Sequence, residues 1–171
     1  TLYSAIKNRI SDGEVEELKR AKLSGIYIKE EMGRYFPQET LASQLVGFVD
    51  ANSQGQYGLE EYYNDVLAGK DGERGKDLNL TIDYNIQFFA EKLLNTAAQN
   101  LKIEKGSILV LEPSSGKILA LANFPNFNPN SYQDYEKEGK LEIFKNEATL
   151  SLFEPGSVFK PITMAAALEE G

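Results

Sequence analysis

A serine and a lysine three residues apart, near the end of the chain, are the side chains best suited to chemistry. They are Ser157 and Lys160, in the sequence EPGSVFKP over residues 154–161. The chain has no histidine and no cysteine, so it lacks the usual base for a serine nucleophile and the usual imidazole or thiolate ligands of a catalytic metal. The chemistry that remains is attack by a serine that a lysine amine assists.

The proline after Lys160 indicates how the two side chains are positioned. Pro161 lacks an N–H group and is tolerated in a helix only near its start. We therefore predict that Ser157 and Lys160 lie in the first turn of a helix that residues 162–169 continue. Residues three apart share a helix face, with Cβ atoms about 5–6 Å apart, so the amine can reach the hydroxyl. The positive end of the helix dipole would also favour a developing oxyanion.

The Ser-x-x-Lys spacing does not identify the site by itself, because it occurs three times. The matches are Ser4 with Lys7, Ser114 with Lys117, and Ser157 with Lys160. No cap or glycine precedes Ser4, and Ser114 lies in PSSG, a sequence typical of a tight turn between strands. We interpret both as structural. At Ser157 the residues alone leave two interpretations open, a nucleophile or a simple helix N-cap.

The segments around Ser157 resemble those of penicillin-binding proteins, and the resemblance covers nearly the whole chain in the same order. Near the serine it is carried by NEA (146–148), FEPGSVFKP (153–161) and AAALE (165–169). Before the serine it is carried by LTID (80–83), ILVLEP (108–113), SGKILALA (115–122) and PNFNPN (125–130). RYFP (34–37), LVGF (45–48) and GLE (58–60) are similar to the non-catalytic pedestal of the class B members.

The resemblance implies an α+β fold in two parts. Residues 1–75 would form the pedestal, a class B dimerisation-type domain. Residues 76–171 would form the N-terminal part of a transpeptidase domain like that of serine β-lactamases, an antiparallel sheet with flanking helices. The family completes its site with Ser-x-Asn and Lys-Thr-Gly or Lys-Ser-Gly elements, and the chain contains none of these. We therefore expect a catalytically incomplete piece of a longer protein. The resemblance also implies a membrane anchor upstream of this piece. Near residues 70–78, where the family has a longer excursion, we expect either a missing loop or a trimmed pedestal.

The function that the resemblance implies is that of a peptidoglycan cross-linking D,D-transpeptidase that binds penicillin, at the extracytoplasmic or periplasmic face of the cell membrane. Ser157 would form an acyl-enzyme with a stem peptide ending in D-Ala-D-Ala, or with a β-lactam antibiotic, and Lys160 would assist. No cofactor and no metal are implied. A different interpretation is a non-catalytic interaction module, whose pedestal binds a membrane-embedded glycan polymerase or another cell-wall partner.

The composition fits an extracytoplasmic protein and argues against other partners. The 171 residues carry a formal net charge of -8. Such an acidic surface repels nucleic acid, so a nucleic-acid partner is not expected. No apolar run approaches the roughly 20 residues that a membrane-spanning helix needs.

Local patterns predict the elements of the first half. Ser11 and Glu14 have the spacing of a capping box, which opens a helix through Lys22 with Val15 and Leu18 facing inward. Further predicted elements are a strand over residues 25–28 and helices over residues 39–46 and 60–67. The loop before the last helix has the ligand spacing of a calcium-binding loop, at Asp50, Asn52, Gln54, Gly55 and Glu61. Because Gln54 is not acidic, we favour a glycine-rich turn.

The second half is predicted to hold a long helix and a hairpin. Asp83 caps the helix, and its apolar residues repeat at helical spacing on a face that should be buried: Ile86, Phe89, Leu93, Ala97 and Leu101. Residues 107–111 and 117–122 form a hairpin, whose nearly continuous apolar character predicts a central place in a sheet. Residues 132–140 are polar and predict a surface helix or loop. We expect most of the burial and stability to lie in residues 11–67.

Overall fold

The computed structural model describes residues 4, 6–7, 10–30, 33–69 and 74–171. Two compact units are present, Thr1–Gly33 and Arg34–Gly171. Residues 70–73, beside the predicted boundary between pedestal and transpeptidase parts, lie outside the described residues, and a division at residue 75 stays a prediction. Among the described residues, no helix combines the length and the apolar character needed to cross a membrane.

The first unit is built around one amphipathic helix, α1 (Asp12–Ala21). The predicted capping box is confirmed, since Ser11 and Glu14 exchange side-chain to backbone hydrogen bonds. The hydrogen bond from Lys7, with those from Ser11, lowers the pKa of Glu14 to about 2. Val15 and Leu18 are half-buried. The strand predicted over residues 25–28 is wrong: this stretch is irregular and pairs with no described strand.

Short elements begin the second unit: α2 (Ser43–Val46), β1 (Phe48–Val49), β2 (Gly55–Gln56), α3 (Gly58–Tyr62) and α4 (Asn64–Ala68). The helix predicted over residues 39–46 begins only at Ser43, because Glu39 and Ala42 adopt positive φ angles of 49° and 55°. The helix predicted over residues 60–67 is divided at Tyr63 into α3 and α4. These differences shorten the elements but keep their order.

The loop between β1 and β2 is a turn that the Asp50 carboxylate organises. Its Oδ1 accepts hydrogen bonds from the backbone N–H groups of Asn52 (2.8 Å) and Gln54 (2.9 Å), and its Oδ2 accepts one from the side-chain amide of Gln56 (3.1 Å). A Cβ atom at Gly55 would lie 1.9 Å from a backbone oxygen of α3, so only glycine fits there. The interpretation as a glycine-rich turn is confirmed, with positive φ angles at Gly47 (83°) and Gly58 (51°) on either side of it.

The long helix and the hairpin of the second half are confirmed as α5 (Tyr84–Leu101), β3 (Gly106–Leu111) and β4 (Ile118–Phe124). Asp83 caps α5 by accepting hydrogen bonds from the N–H groups of Asn85 (2.9 Å) and Ile86 (3.0 Å). The predicted buried face is wrong, since Phe89, Leu93 and Leu101 are exposed. The face that α5 buries consists of Gln87, Ala90, Glu91, Leu94 and Ala98.

Gln87 explains why α5 turns a partly polar face inward. Its side chain is fully buried, donates to the carbonyl of Leu121 (3.0 Å) and accepts from the N–H of the same residue (2.8 Å). The amide thus occupies the edge of β4 that does not face β3.

Within the described residues, β3 and β4 form a sheet of two strands only. The predicted central position of the hairpin in a sheet is therefore wrong for these residues. Leu109 and Leu111 of β3 are exposed.

An aromatic core holds the second unit together. Phe48, Phe127, Tyr132 and Phe144 form a buried cluster, in which the Phe48 and Tyr132 rings stack with centroids 4.3 Å apart. Tyr132 begins α6 (Tyr132–Lys137), so the segment predicted to be a polar surface element also supplies the core. The expectation that burial concentrates in residues 11–67 is wrong, because α1 buries no residue and most core side chains come from later in the chain.

Candidate active site

Ser157 and Lys160 lie where a tight helical turn passes into an α-helix. Ser157 is in the 3-10 turn Gly156–Phe159, and Lys160 begins α8 (Lys160–Glu170), with Pro161 in its first turn. The backbone N–H of Lys160 donates to the carbonyl of Ser157. The predicted helix is confirmed. Its first turn is a 3-10 turn, which is tighter than an α-helical turn. This turn leads directly into α8, so Ser157 and Lys160 lie on one continuous helical segment.

The candidate pair is open to solvent. Every residue from Ala148 to Gly171 is exposed. Within the part of the chain that the structure describes, the side chains of Ser157 and Lys160 have no recorded hydrogen-bond partner. The arrangement therefore presents an accessible hydroxyl and an accessible amine, without the enclosing donors that stabilise an oxyanion in acyl-transfer enzymes.

A buried asparagine pair fixes the segment that leads to Ser157. Asn146 caps α7 (Glu147–Leu150) by accepting a hydrogen bond from the N–H of Ala148 (3.2 Å). The same Asn146 oxygen accepts from the Asn123 side chain on β4 (3.1 Å), and Asn123 accepts from the Ser107 hydroxyl on β3 (2.7 Å). The sequence analysis missed Asn123, although a polar residue within the apolar run of β4 was a signal for it.

An ion pair adds a second attachment to the same segment. Lys105, just before β3, lies 2.6 Å from a carboxylate oxygen of Glu147. The hydroxyl of Ser151 also donates to Glu147. The hydrogen bonds from Lys105 and then from Ser151 hold the pKa of the Glu147 carboxyl below its usual range. Glu147 is therefore ionised near neutral pH, and α7 stays attached to the hairpin.

The other two Ser-x-x-Lys matches have structural surroundings. Lys7 lies 2.5 Å from the Glu14 carboxylate in the first unit. Ser114 lies in the turn that joins β3 to β4, where the N–H of Gly116 donates to the carbonyl of Glu112 (2.8 Å). The prediction of a tight turn at Ser114 is confirmed.

Two family models match the chain, in the order expected from the sequence. The Penicillin-binding Protein dimerisation domain matches residues 2–80, and the Penicillin binding protein transpeptidase domain matches residues 106–171. The second match contains β3, β4, α7 and the turn that carries Ser157. The two models together therefore account for both halves of the chain.

Curated relatives and solved structures agree with these matches. The chain is 34% identical to the Probable peptidoglycan D,D-transpeptidase PbpC of Pseudomonas aeruginosa, over 97% of this chain and 33% of the relative. It is 30% identical to the Peptidoglycan D,D-transpeptidase FtsI of Escherichia coli, over 97% of this chain and 31% of the relative. The chain thus spans about one third of the length of these relatives.

Crystal structures of Penicillin binding protein 3 from Mycobacterium tuberculosis, in its apo form and in complex with aztreonam, are similar in fold and sequence. Each superposes with a TM-score of 0.71 at 35% identity and covers 80% of this chain and 31% of the solved chain. Both domain models, the curated relatives and the solved structures point to one assignment. The chain belongs to the penicillin-binding proteins of class B, in which a dimerisation domain precedes the transpeptidase domain.

Proposed function

We propose that the protein containing this chain is a penicillin-binding D,D-transpeptidase that cross-links peptidoglycan, with Ser157 as nucleophile and Lys160 as its base. The observation that carries the proposal is the position of this pair. It lies at the start of α8 inside the matched transpeptidase segment, whereas the other two Ser-x-x-Lys matches have structural surroundings. The relatives named above are peptidoglycan D,D-transpeptidases, which supports the same activity here.

The proposed reaction has two acyl-transfer steps. The Lys160 amine takes the hydroxyl proton while the Ser157 oxygen attacks the carbonyl between the two D-alanines of a stem peptide. The terminal D-alanine leaves with a proton, and an ester joins the remaining peptide to Ser157. An amine of a neighbouring strand then attacks the ester, which forms the cross-link and restores the serine hydroxyl. A β-lactam acylates the same oxygen when its ring amide opens.

We further propose that this chain alone is catalytically incomplete. The exposed surroundings of Ser157 support this proposal, since oxyanion donors must lie about 2.7–3.1 Å from the developing charge. The Ser-x-Asn and Lys-Thr-Gly elements of the family are absent from the sequence. In the whole protein those elements would supply the missing donors and a second cation beside Lys160.

We expect a fluorescent penicillin to label the whole protein once per molecule, with the adduct on the peptide that contains Ser157. Peptide mapping by mass spectrometry identifies the labelled residue. Under the same conditions, Thr1–Gly171 alone should label at least about a hundredfold more slowly, because loss of one oxyanion donor costs about 10²–10³ in rate. An adduct on Ser4 or Ser114 would refute the assignment, and equal labelling rates would refute the proposed incompleteness.

A second function, binding of a membrane-embedded glycan polymerase, is supported by the surface of the first unit. This unit exposes large apolar side chains at Ile6, Leu23 and Tyr27, which a bound protein partner would cover. The proposed place of action, the extracytoplasmic or periplasmic face of the cell membrane, would bring the two proteins together.

We expect Tyr27→Asp to weaken co-purification of the glycan polymerase with the whole protein by about tenfold, because the substitution places a charge within an apolar contact. Tyr84→Asp is the matched control, since Tyr84 is also an exposed tyrosine but lies on α5, outside the predicted pedestal of residues 1–75. Penicillin labelling should be unchanged in both variants. Equal retention of the polymerase by Tyr27→Asp and Tyr84→Asp would argue against this surface.

A further inference from the structure

Gln44 links the 34–69 segment of the second unit to the residues that precede the candidate nucleophile. Its side chain, on α2, is 3% exposed. The amide nitrogen donates to two backbone carbonyls, those of Pro125 (2.7 Å) and Ile143 (3.1 Å). The amide oxygen accepts from the Ser43 hydroxyl (3.1 Å). Both donors of the amide are thus used to hold backbone far along the chain.

The residues between Ile143 and α7 are also held by contacts with the rest of the second unit. Phe144 packs in the aromatic core against Phe48, with ring centroids 4.8 Å apart. Asn146 is bound to Asn123 of the hairpin. Gln44 on α2 therefore holds Ile143, and Asn123 on β4 holds Asn146. Ser157 follows eleven residues after Asn146.

The other polar links between the 34–69 segment and the rest of the unit reach different places. Asn130 binds the N–H (3.0 Å) and the carbonyl (2.8 Å) of Phe36. The N–H of Ala42 donates to the buried carboxylate of Glu91 on α5 (2.7 Å). These contacts hold the segment against α5 and residues 124–130. Among the described hydrogen bonds, Gln44 is the link from this segment to residues 141–147.

We propose that Gln44 is a positioning residue for Ser157, through which the dimerisation-domain part of the chain fixes the segment that delivers the nucleophile. This inference rests on the proposed function. The physical reason is that a partly buried carbonyl loses stabilisation when its hydrogen-bond donor is removed. Loss of the amide frees the backbone at Ile143 to move toward other donors or water. Attack by a serine is sensitive to displacements of about 1 Å.

The test is Gln44→Met in the whole protein, which removes both donors and keeps the length of the side chain. We expect the acylation rate at saturating β-lactam to fall about tenfold, while the concentration for half-saturation changes less than twofold. The rates are measured well below the midpoint of thermal unfolding of the variant. Gln99→Met is the matched control, because Gln99 is exposed on α5, and it should react as the unchanged protein does.

A second measurement follows the backbone directly. Hydrogen exchange of the amides in residues 145–150 should become about tenfold faster in Gln44→Met, with no change in Gln99→Met. If Gln44→Met does not fold, Gln44→Asn serves instead. It keeps an amide but is one methylene too short to reach both carbonyls, and the same directions are expected.

The outcomes separate this inference from the proposed function. Absence of acylation at Ser157 in the unchanged protein would refute the proposed function and this inference with it. Normal acylation of the unchanged protein, with folded Gln44 variants that react within twofold of it, would overturn the role of Gln44 alone. Unchanged exchange in residues 145–150 would overturn it too.

Discussion

Replacement of Ser157 by alanine in the whole protein is expected to abolish covalent labelling by a fluorescent penicillin. In the proposed reaction the Ser157 oxygen forms the ester bond, and this chain offers no histidine or cysteine as another nucleophile. Loss of a serine nucleophile in other acyl-transfer enzymes costs about a millionfold in rate. Intact-mass measurement after long incubation with penicillin checks the result, which should be a protein without adduct.

The chain supplies its own control for this experiment. Ser114 has the same spacing to a lysine but lies in the turn between β3 and β4, so Ser114→Ala should label like the unchanged protein. The Ser157 side chain is exposed and makes no hydrogen bond to a described residue. We therefore expect Ser157→Ala to change the free energy of unfolding by less than about 0.5 kcal/mol. Labelling that persists in folded Ser157→Ala would exclude Ser157 as the nucleophile.

Features set by neighbouring residues were predictable from the sequence. The capping box at Ser11, the cap at Asp83 and the hairpin with its turn at Ser114 each depend on residues within a few positions of one another. The same holds for the start of α8 at Lys160, which Pro161 indicates. Local chemistry decides such features before any tertiary contact forms.

The inward face of α5 could not be predicted, because its determinants are distant in sequence. Gln87 binds Leu121, 34 residues away, and Glu91 binds Ala42, 49 residues away. A periodicity argument assigns polar side chains to solvent, but a buried polar side chain is stable when its hydrogen bonds are satisfied. The apolar residues Phe89 and Leu93 were therefore placed on the wrong side.

The hydrogen bonds that hold the segment before Ser157 could not be predicted from the sequence for the same reason. The hydrogen bond between Asn123 and Asn146 spans 23 residues, and the one between Gln44 and Ile143 spans 99. An asparagine or a glutamine carries no sign of its partner in a single sequence. The candidate pair could be proposed from the residues that flank it, whereas the side chains that hold residues 143–146 became visible only in the fold.

Replacement of Lys160 by arginine in the whole protein is expected to lower the second-order rate constant of acylation by about a thousandfold. A guanidinium keeps its charge at any working pH, so it cannot accept the proton of the Ser157 hydroxyl. General base catalysis contributes about 10²–10⁴ in rate, which sets this magnitude. Lysine and arginine have similar helix propensities, so α8 should still form.

The Lys160→Arg variant also distinguishes between two roles of Lys160, that of a base and that of a simple positive charge. If Lys160 acted only by its charge, Lys160→Arg would react within about tenfold of the unchanged protein, a difference of about 1.4 kcal/mol in activation free energy. Lys117→Arg, in the structural Ser-x-x-Lys match, should react normally. The rates are measured by stopped-flow over a range of pH, and a rise in pH should not restore the Lys160→Arg rate, because arginine does not deprotonate in that range. A Lys160→Arg rate that recovers at high pH or stays within tenfold throughout would assign Lys160 a structural or electrostatic role.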